Sequence, residues 1–290
     1  MGRLGMKTAL LAFLALAVSA SAQSLVMKDG KIIPTKGIRR DGDTVIATVA
    51  IPGGEAGQPA KTGEFGYPIA QVARLDFPEP TQLRTAPELV AQGKAADAIA
   101  QLEPVVKYYE NFREVAGSWW ADAALLKAQA LVSLGRDKEA EPLAEQIIKT
   151  ATDPELVRAA EVQLAAGLVR KGSHERALET AERALKESKR HGTLALASII
   201  KGECLLAKKE WDDAMLAFLR TPVFYPGEKI LLPQAMLGAG RAQFGTEDFP
   251  RAKATLNELL KTYATAPEAA LAQAELDKIT RRETALAPPK

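Results

Sequence analysis

The sequence has 290 residues, with 38 Lys and Arg against 36 Asp and Glu, a formal charge of only +2. That near-balance argues against a nucleic-acid binder, whose affinity rests on surplus Lys and Arg neutralising phosphates, and the single cysteine, Cys204, excludes an intrachain disulfide framework or a Cys-based zinc cluster. Hydrophobic residues make up 47% but aromatics only 6%, and with Ala and Leu so abundant this points to many closely packed helices.

At the start of the chain, Met1–Lys7 is short and cationic, and Ala9–Val18 is apolar without interruption. Ala20-Ser21-Ala22 then offers small side chains ahead of Gln23. This is the pattern of a removable export signal, with cleavage expected after Ala22. The apolar run is too short for a membrane span, which takes about 20 residues. No cysteine follows it to take a lipid. The expectation is a periplasmic or secreted bacterial protein with no transmembrane segment.

Residues 23–80 read as a small β module. Leu25–Lys28 is followed by the turn signal Asp29-Gly30 and then Lys31-Ile32-Ile33; Ile38-Arg39-Arg40 leads through Asp41-Gly42-Asp43 into the β-branched run Thr44–Ile51. A loop rich in Gly and Pro runs from Gly53 to Gly63, and apolar residues return at Ile69, Val72, Leu75 and Phe77. Four or five short antiparallel strands are expected, curled into a barrel-like sheet of SH3-like size that leans on the helices. Ala60-Lys61-Thr62 imitates the tail of a phosphate-binding loop, but Glu55 and Ala60 stand where glycines are needed, so a plain loop is expected.

Repetition organises residues 81–285, with 286–290 left as a tail. Five segments carry an alanine just after a turn and ahead of an amphipathic run: Ala98, Ala140, Ala177, Ala214 and Ala252, spaced 42, 37, 37 and 38 residues apart. Before each turn from the second onward lies a longer stretch with helical apolar spacing: Trp119–Leu134, Pro154–Val169, Leu194–Leu206 and Ile230–Phe244. Helix, tight turn and helix at a near-constant interval predict a mainly α fold, a solenoid of about five stacked hairpins. No single hairpin can bury its own apolar face, so each needs its neighbour.

These residues resemble the tetratricopeptide repeat. The fourth unit carries Gly202, Trp211, Ala214, Phe218 and Pro226 where that family favours small, aromatic, Ala, bulky and Pro residues; the fifth offers Gly240, Phe249, Ala252 and Leu256. The second and third keep Ala128, Gly135, Ala140 and Ala165, Gly172, Ala177, and the first, with Gly93 and Ala98, resembles an atypical capping unit. Phe224-Tyr225-Pro226, Gln234–Phe244, Ala252–Tyr263 and Pro267–Ala274 are similar to repeats of periplasmic proteins serving outer-membrane assembly and the Tol–Pal envelope system. The lipidation cysteine of the first group and the coiled coil of the second are absent, so the likeness implies an envelope scaffold rather than membership of either. The tetratricopeptide resemblance also implies a ligand groove on the first helix of each unit. Here that groove comprises Trp119, Asp122, Leu125, Gln129, Val132, Arg170, Ile199, Glu203, Gln234, Leu237, Arg241 and Phe244, with a protein or extended peptide as partner. Self-association through the groove, or later units packing over it, are the competing readings.

The remaining chemistry is sparse. His174 and His191 lack a Cys, Asp or Glu at metal-ligand spacing and read as solvent-facing turn residues. Cys204 reads as a buried small hydrophobe. Trp119 and Trp120 point about 100° apart on a helix, so at most one is centred on a core face. Gly238-Ala239-Gly240 lies within a helix and reads as packing rather than dinucleotide binding. No catalytic group, metal or cofactor is expected. The sequence reads as a non-enzymatic adaptor of the cell envelope; the alternative is a cell-wall or carbohydrate binder acting through Phe65, Tyr67 and Phe77 of the β module.

Overall fold

The computed structural model describes residues 23–51 and 61–286. The leader, the phosphate-loop look-alike positions Glu55 and Ala60, and the last residues of the tail lie outside the described residues. Six strands and eleven α-helices are described. The strands are β1 (Ser24–Met27), β2 (Ile32–Pro34), β3 (Gly37–Asp41), β4 (Thr44–Ala50), β5 (Thr62–Pro68) and β6 (Val72–Asp76). They form two antiparallel three-stranded sheets, β2-β1-β6 and β3-β4-β5. The expected four or five strands in one curled sheet thus become six in two sheets. The buried Thr35 hydroxyl ties the corner between them, its one proton lying between the carbonyls of Gly37 and Thr48 at 2.7 and 2.9 Å.

A bulge explains the odd apolar spacing of β6. Leu25 pairs Leu75 and Val26 pairs Arg74, but Met27 pairs Val72. The extra residue, Ala73, lets Val72 and Leu75 both enter the core although they are three positions apart, which a regular two-residue period forbids.

The helices are α1 (Thr81–Ala91), α2 (Ala95–Tyr109), α3 (Trp120–Ser133), α4 (Asp137–Thr150), α5 (Pro154–Arg170), α6 (His174–Glu187), α7 (His191–Ala207), α8 (Trp211–Phe224), α9 (Leu232–Gly245), α10 (Phe249–Thr262) and α11 (Glu268–Leu286). Successive pairs form five hairpins, and α11 closes the stack against α9 and α10. Each anchor alanine is the fourth residue of its hairpin's second helix, and all five are at most 3% exposed.

One turn recurs five times. The first helix ends on a residue with left-handed backbone: Gly93, Gly135, Gly172, Lys209 and Glu247, with φ between 60° and 77°. The next amide donates back to a carbonyl five residues earlier, as Lys94 to Leu89 and Glu210 to Leu205. This satisfies carbonyls that the helix end would otherwise strand.

Small residues set the spacing between layers. The fully buried Phe218 ring lies between α7 and α9, where a methyl group at Gly202 would come within 2.8 Å of it and one at Gly238 within 2.3 Å. Gly240 stands in the same relation to Leu256, and Gly245 to Trp211. Gly238 and Gly240 are therefore packing residues within α9.

The strands share one continuous core with α1–α5, running from Leu25 through Phe77, Leu102 and Tyr109 to Ala160. The Leu75 amide donates to the Ala116 carbonyl at 2.8 Å, the Trp119 indole donates to the Phe77 carbonyl at 3.0 Å, and the Tyr108 hydroxyl accepts from the Ile38 amide at 3.3 Å. Phe77 is 6% exposed and packs edge-on against Tyr109, so it cannot stack on a sugar as the carbohydrate alternative requires.

Candidate functional site

Within the stack, α1, α3, α5, α7, α9 and α11 neighbour one another in that order, so the first helices form a continuous face. Two cavities open on it. The first, of about 510 Å³, takes Trp119, Asp122, Leu125 and Gln129 from the predicted groove, together with Glu79, Thr193, Leu196 and Glu228. The second, of about 490 Å³, takes Arg170, Ile199, Glu203 and Gln234 from the predicted groove, together with Val169, His174 and Leu206.

Long-range charge contacts build the first cavity. Both terminal nitrogens of the Arg190 guanidinium donate to Asp122 Oδ1 at 3.3 Å, joining α3 to the turn before α7 across 68 residues. Burial pushes the Asp122 carboxyl above its ordinary value, opposed by Arg190. Burial does the same to Glu228, opposed by His191 and Arg190. The Glu228 carboxylate lies against the N-terminal turn of α7, with Oε2 3.0 Å from where a Gly192 methyl would stand. A side chain at 192 would crowd it. The His191 ring lies 5.6 Å from that of Tyr225. The two tryptophans divide the work: Trp120 is 1% exposed under the Arg113 guanidinium, while the half-buried Trp119 lines the cavity.

The second cavity has mostly apolar walls and one carboxylate. Burial raises the Glu203 carboxyl above its ordinary value, offset only in part by Arg241 and His174. The neighbouring cations are engaged elsewhere. Arg170 pairs with Asp137 of α4, and Arg241 Nε donates to Glu275 Oε1 of α11 at 2.9 Å.

Four predicted groove residues lie in neither cavity. Val132 packs beside Leu131 and Ala140. Leu237 is 4% exposed in a core with Leu256 and Leu259. Phe244 packs 5.8 Å from the Phe249 ring, and Arg241 is bound to α11. For the three on α9 the reason is α11, which packs on α9 as another first helix and covers that end of the face. Burial limits two further members, since Leu125 and Ile199 are 6% and 0% exposed and can serve as wall but scarcely as contact.

Of the two histidines, both expected to face solvent, His174 departs from expectation. His174 is the first residue of α6 and half-buried, its Nδ1 enclosed with no hydrogen-bond partner, and it lines the second cavity. His191 is exposed but lines the first. Sequence reasoning missed both, along with Arg190 and Glu228; only the run Lys189-Arg190-His191 ahead of Gly192 hinted at a polar site there. Cys204 is fully buried, its thiol donates to the His174 carbonyl at 3.3 Å, and burial pushes it up to about 11. Among the described residues no group of three His, Cys, Asp or Glu could hold a metal ion, and no helix is long and apolar enough to cross a membrane. A further hollow of about 1050 Å³ lies on the opposite, second-helix side between α6 and α8, beside the exposed Leu216, Val223 and Phe224.

Models of the tetratricopeptide repeat match residues 83–155, 162–229 and 234–266, together more than half of the sequence. The chain belongs to the tetratricopeptide repeat family. Such repeats typically form non-enzymatic protein-interaction scaffolds. Among solved structures it is similar to a tetratricopeptide repeat protein from Parabacteroides merdae ATCC 43184, at 15% identity over 69% of this chain and 78% of that one, with a TM-score of 0.35. A comparison with curated proteins gives no match.

Proposed function

We propose that this tetratricopeptide repeat protein is an exported, non-catalytic adaptor that holds an extended segment of another bacterial envelope protein along its first-helix face. The observation that carries the reading is the pair of cavities on that face, both lined by α7. His191 in one and Glu203 in the other are twelve residues apart on this helix, about 18 Å at 1.5 Å per residue. Five or six residues of extended chain span that length. Mixed apolar and polar walls suit peptide recognition, in which apolar contacts supply affinity and a few placed polar groups fix register. The leader-like Met1–Ala22 and the likeness of the last repeats to envelope proteins support export and an envelope partner.

A photo-reactive residue placed at Gln129 or Gln234 tests this in intact cells. The expected result is cross-linking to one and the same envelope protein from both positions, and none from Lys253 on the second-helix side. Cross-links only to a second copy of the chain would replace the adaptor with self-association, and no cross-link from either position would overturn the reading. Alkaline phosphatase fused after residue 290 should be active if the chain is exported; an inactive fusion would remove the envelope assignment.

A further inference from the structure

We infer that the second cavity receives a lysine or arginine side chain of the bound segment, with Glu203 as its counter-ion. This rests on the first-helix face being the peptide-binding surface.

Charge is the first argument. Glu203 is the carboxylate lining the cavity, and among the described residues no ion pair or hydrogen bond reaches it. The two cations nearby are held by other carboxylates, Arg170 by Asp137 and Arg241 by Glu275, which Lys278 shares. Among the described residues no cation therefore pairs with the Glu203 carboxylate. An anionic ligand group would be repelled. A purely apolar one would complete the burial of an unpaired carboxylate, which is the costliest arrangement available to such a group.

Shape is the second argument. Val169, Ile199 and Leu206 supply apolar wall, and Gln234 adds a neutral polar group. Lysine and arginine match this layout, since each has a hydrocarbon stem that covers apolar surface and a cationic head at its end. The stem would lie along the wall and the head would donate to the carboxylate. A charge-assisted pair of this kind is stronger than a neutral hydrogen bond because it gains from the low-dielectric surroundings.

The test uses the full chain. Random nonapeptides displayed on beads are selected by the wild type and by E203Q, and n-butylguanidinium and n-butyramide are titrated against both while Glu203 is followed by carboxyl NMR. The expected result is that the wild type enriches one basic position about tenfold, while E203Q still selects peptides but loses that preference and E203D partly restores it. Butylguanidinium should shift the Glu203 signal in a saturable way and butyramide should not. Peptides selected without a basic position would overturn the inference and leave the peptide-binding reading intact. Saturable butylguanidinium binding with no peptide selected at all would make this a small-cation site and overturn both. Unchanged selection by E203Q would remove Glu203 from the site.

Discussion

The two halves of the molecule are held together by different devices. From α7 to α10 the layers meet through repeat positions: a glycine on one helix admits a ring or a leucine from another, as Gly202 and Gly238 admit Phe218. From β1 to α5 the contacts are singular. Gly117, at φ +75°, brings its backbone so close to β6 that a methyl group there would lie 2.0 Å from the Leu75 carbonyl oxygen, while Trp119 binds the residue just after β6 and Tyr108 binds β3, each by one hydrogen bond. The first device recurs along the sequence. The second is used once, and it is what merges a sheet too small for its own core with the helices.

The sharpest way to break the contrast is Phe218→Ala. The ring is fully buried and wedged between α7 and α9, so truncation should cost roughly 3–5 kcal/mol. Amide exchange should rise across α7–α10 while β1 and β6 stay protected. Gly117→Ala is the counterpart at the other end. Left-handed backbone without glycine costs about 1–2 kcal/mol, and forcing a methyl into backbone about 1–3 more. Exchange should now rise in β1 and β6 with the C-terminal layers unchanged. Global unfolding of both variants to the same degree, read by exchange mass spectrometry, would mean that the halves are one cooperative unit and the contrast is only geometric.

Legibility divides along the same line. The anchors Ala98 to Ala252 could be read because a small residue recurs wherever two helices of a hairpin cross, and one rule repeated five times stands out from composition. The sheet order could not. β1 pairs with β6 some fifty residues away through a bulge that shifts the register, and β6 meets Ala116 across the whole of α1 and α2. Neither partner carries a local signal of the other. The candidate site is intermediate. Glu203 could be picked out by its place on the first helix, but that it has no partner depends on Arg241 turning to α11, a helix whose role as a cover for Leu237 and Arg241 no single segment announces.

Smaller and opposite in sign are the effects expected at the turns. Lys209 and Glu247 adopt the left-handed backbone that glycine holds in the other three, at φ 62° and 60°. Lys209→Gly and Glu247→Gly each remove a conformational cost of about 1–2 kcal/mol but loosen the unfolded chain by about 0.5–1 kcal/mol. A net gain of up to about 1.5 kcal/mol per site is expected in urea unfolding. A loss would show that these side chains, not the backbone turn, hold the fourth and fifth units.

The smallest effect should depend on pH. Because burial raises the Glu203 carboxyl, the folded chain keeps that proton to a higher pH than the unfolded chain does. Protons then bind the folded state in excess from about pH 4.3, the ordinary glutamate value, up to the raised one. Within that window this group's contribution to stability is lost as pH rises, and above it the loss is complete. Glutamine at this position cannot titrate, so Glu203→Gln should match the wild type most closely at acidic pH and become the more stable protein as pH rises toward neutrality, with a constant difference beyond. Asp122 and Glu228 are raised by burial as well and remain in both proteins, so they cancel when urea midpoints of the pair are compared at each pH. A carboxylate that weakens the empty fold yet sits in a cavity on the binding face is what a ligand counter-ion should look like. If Glu203→Gln were instead the less stable protein at neutral pH, the carboxylate would already have a partner within the fold, and the first-helix face would have no unmet charge to offer.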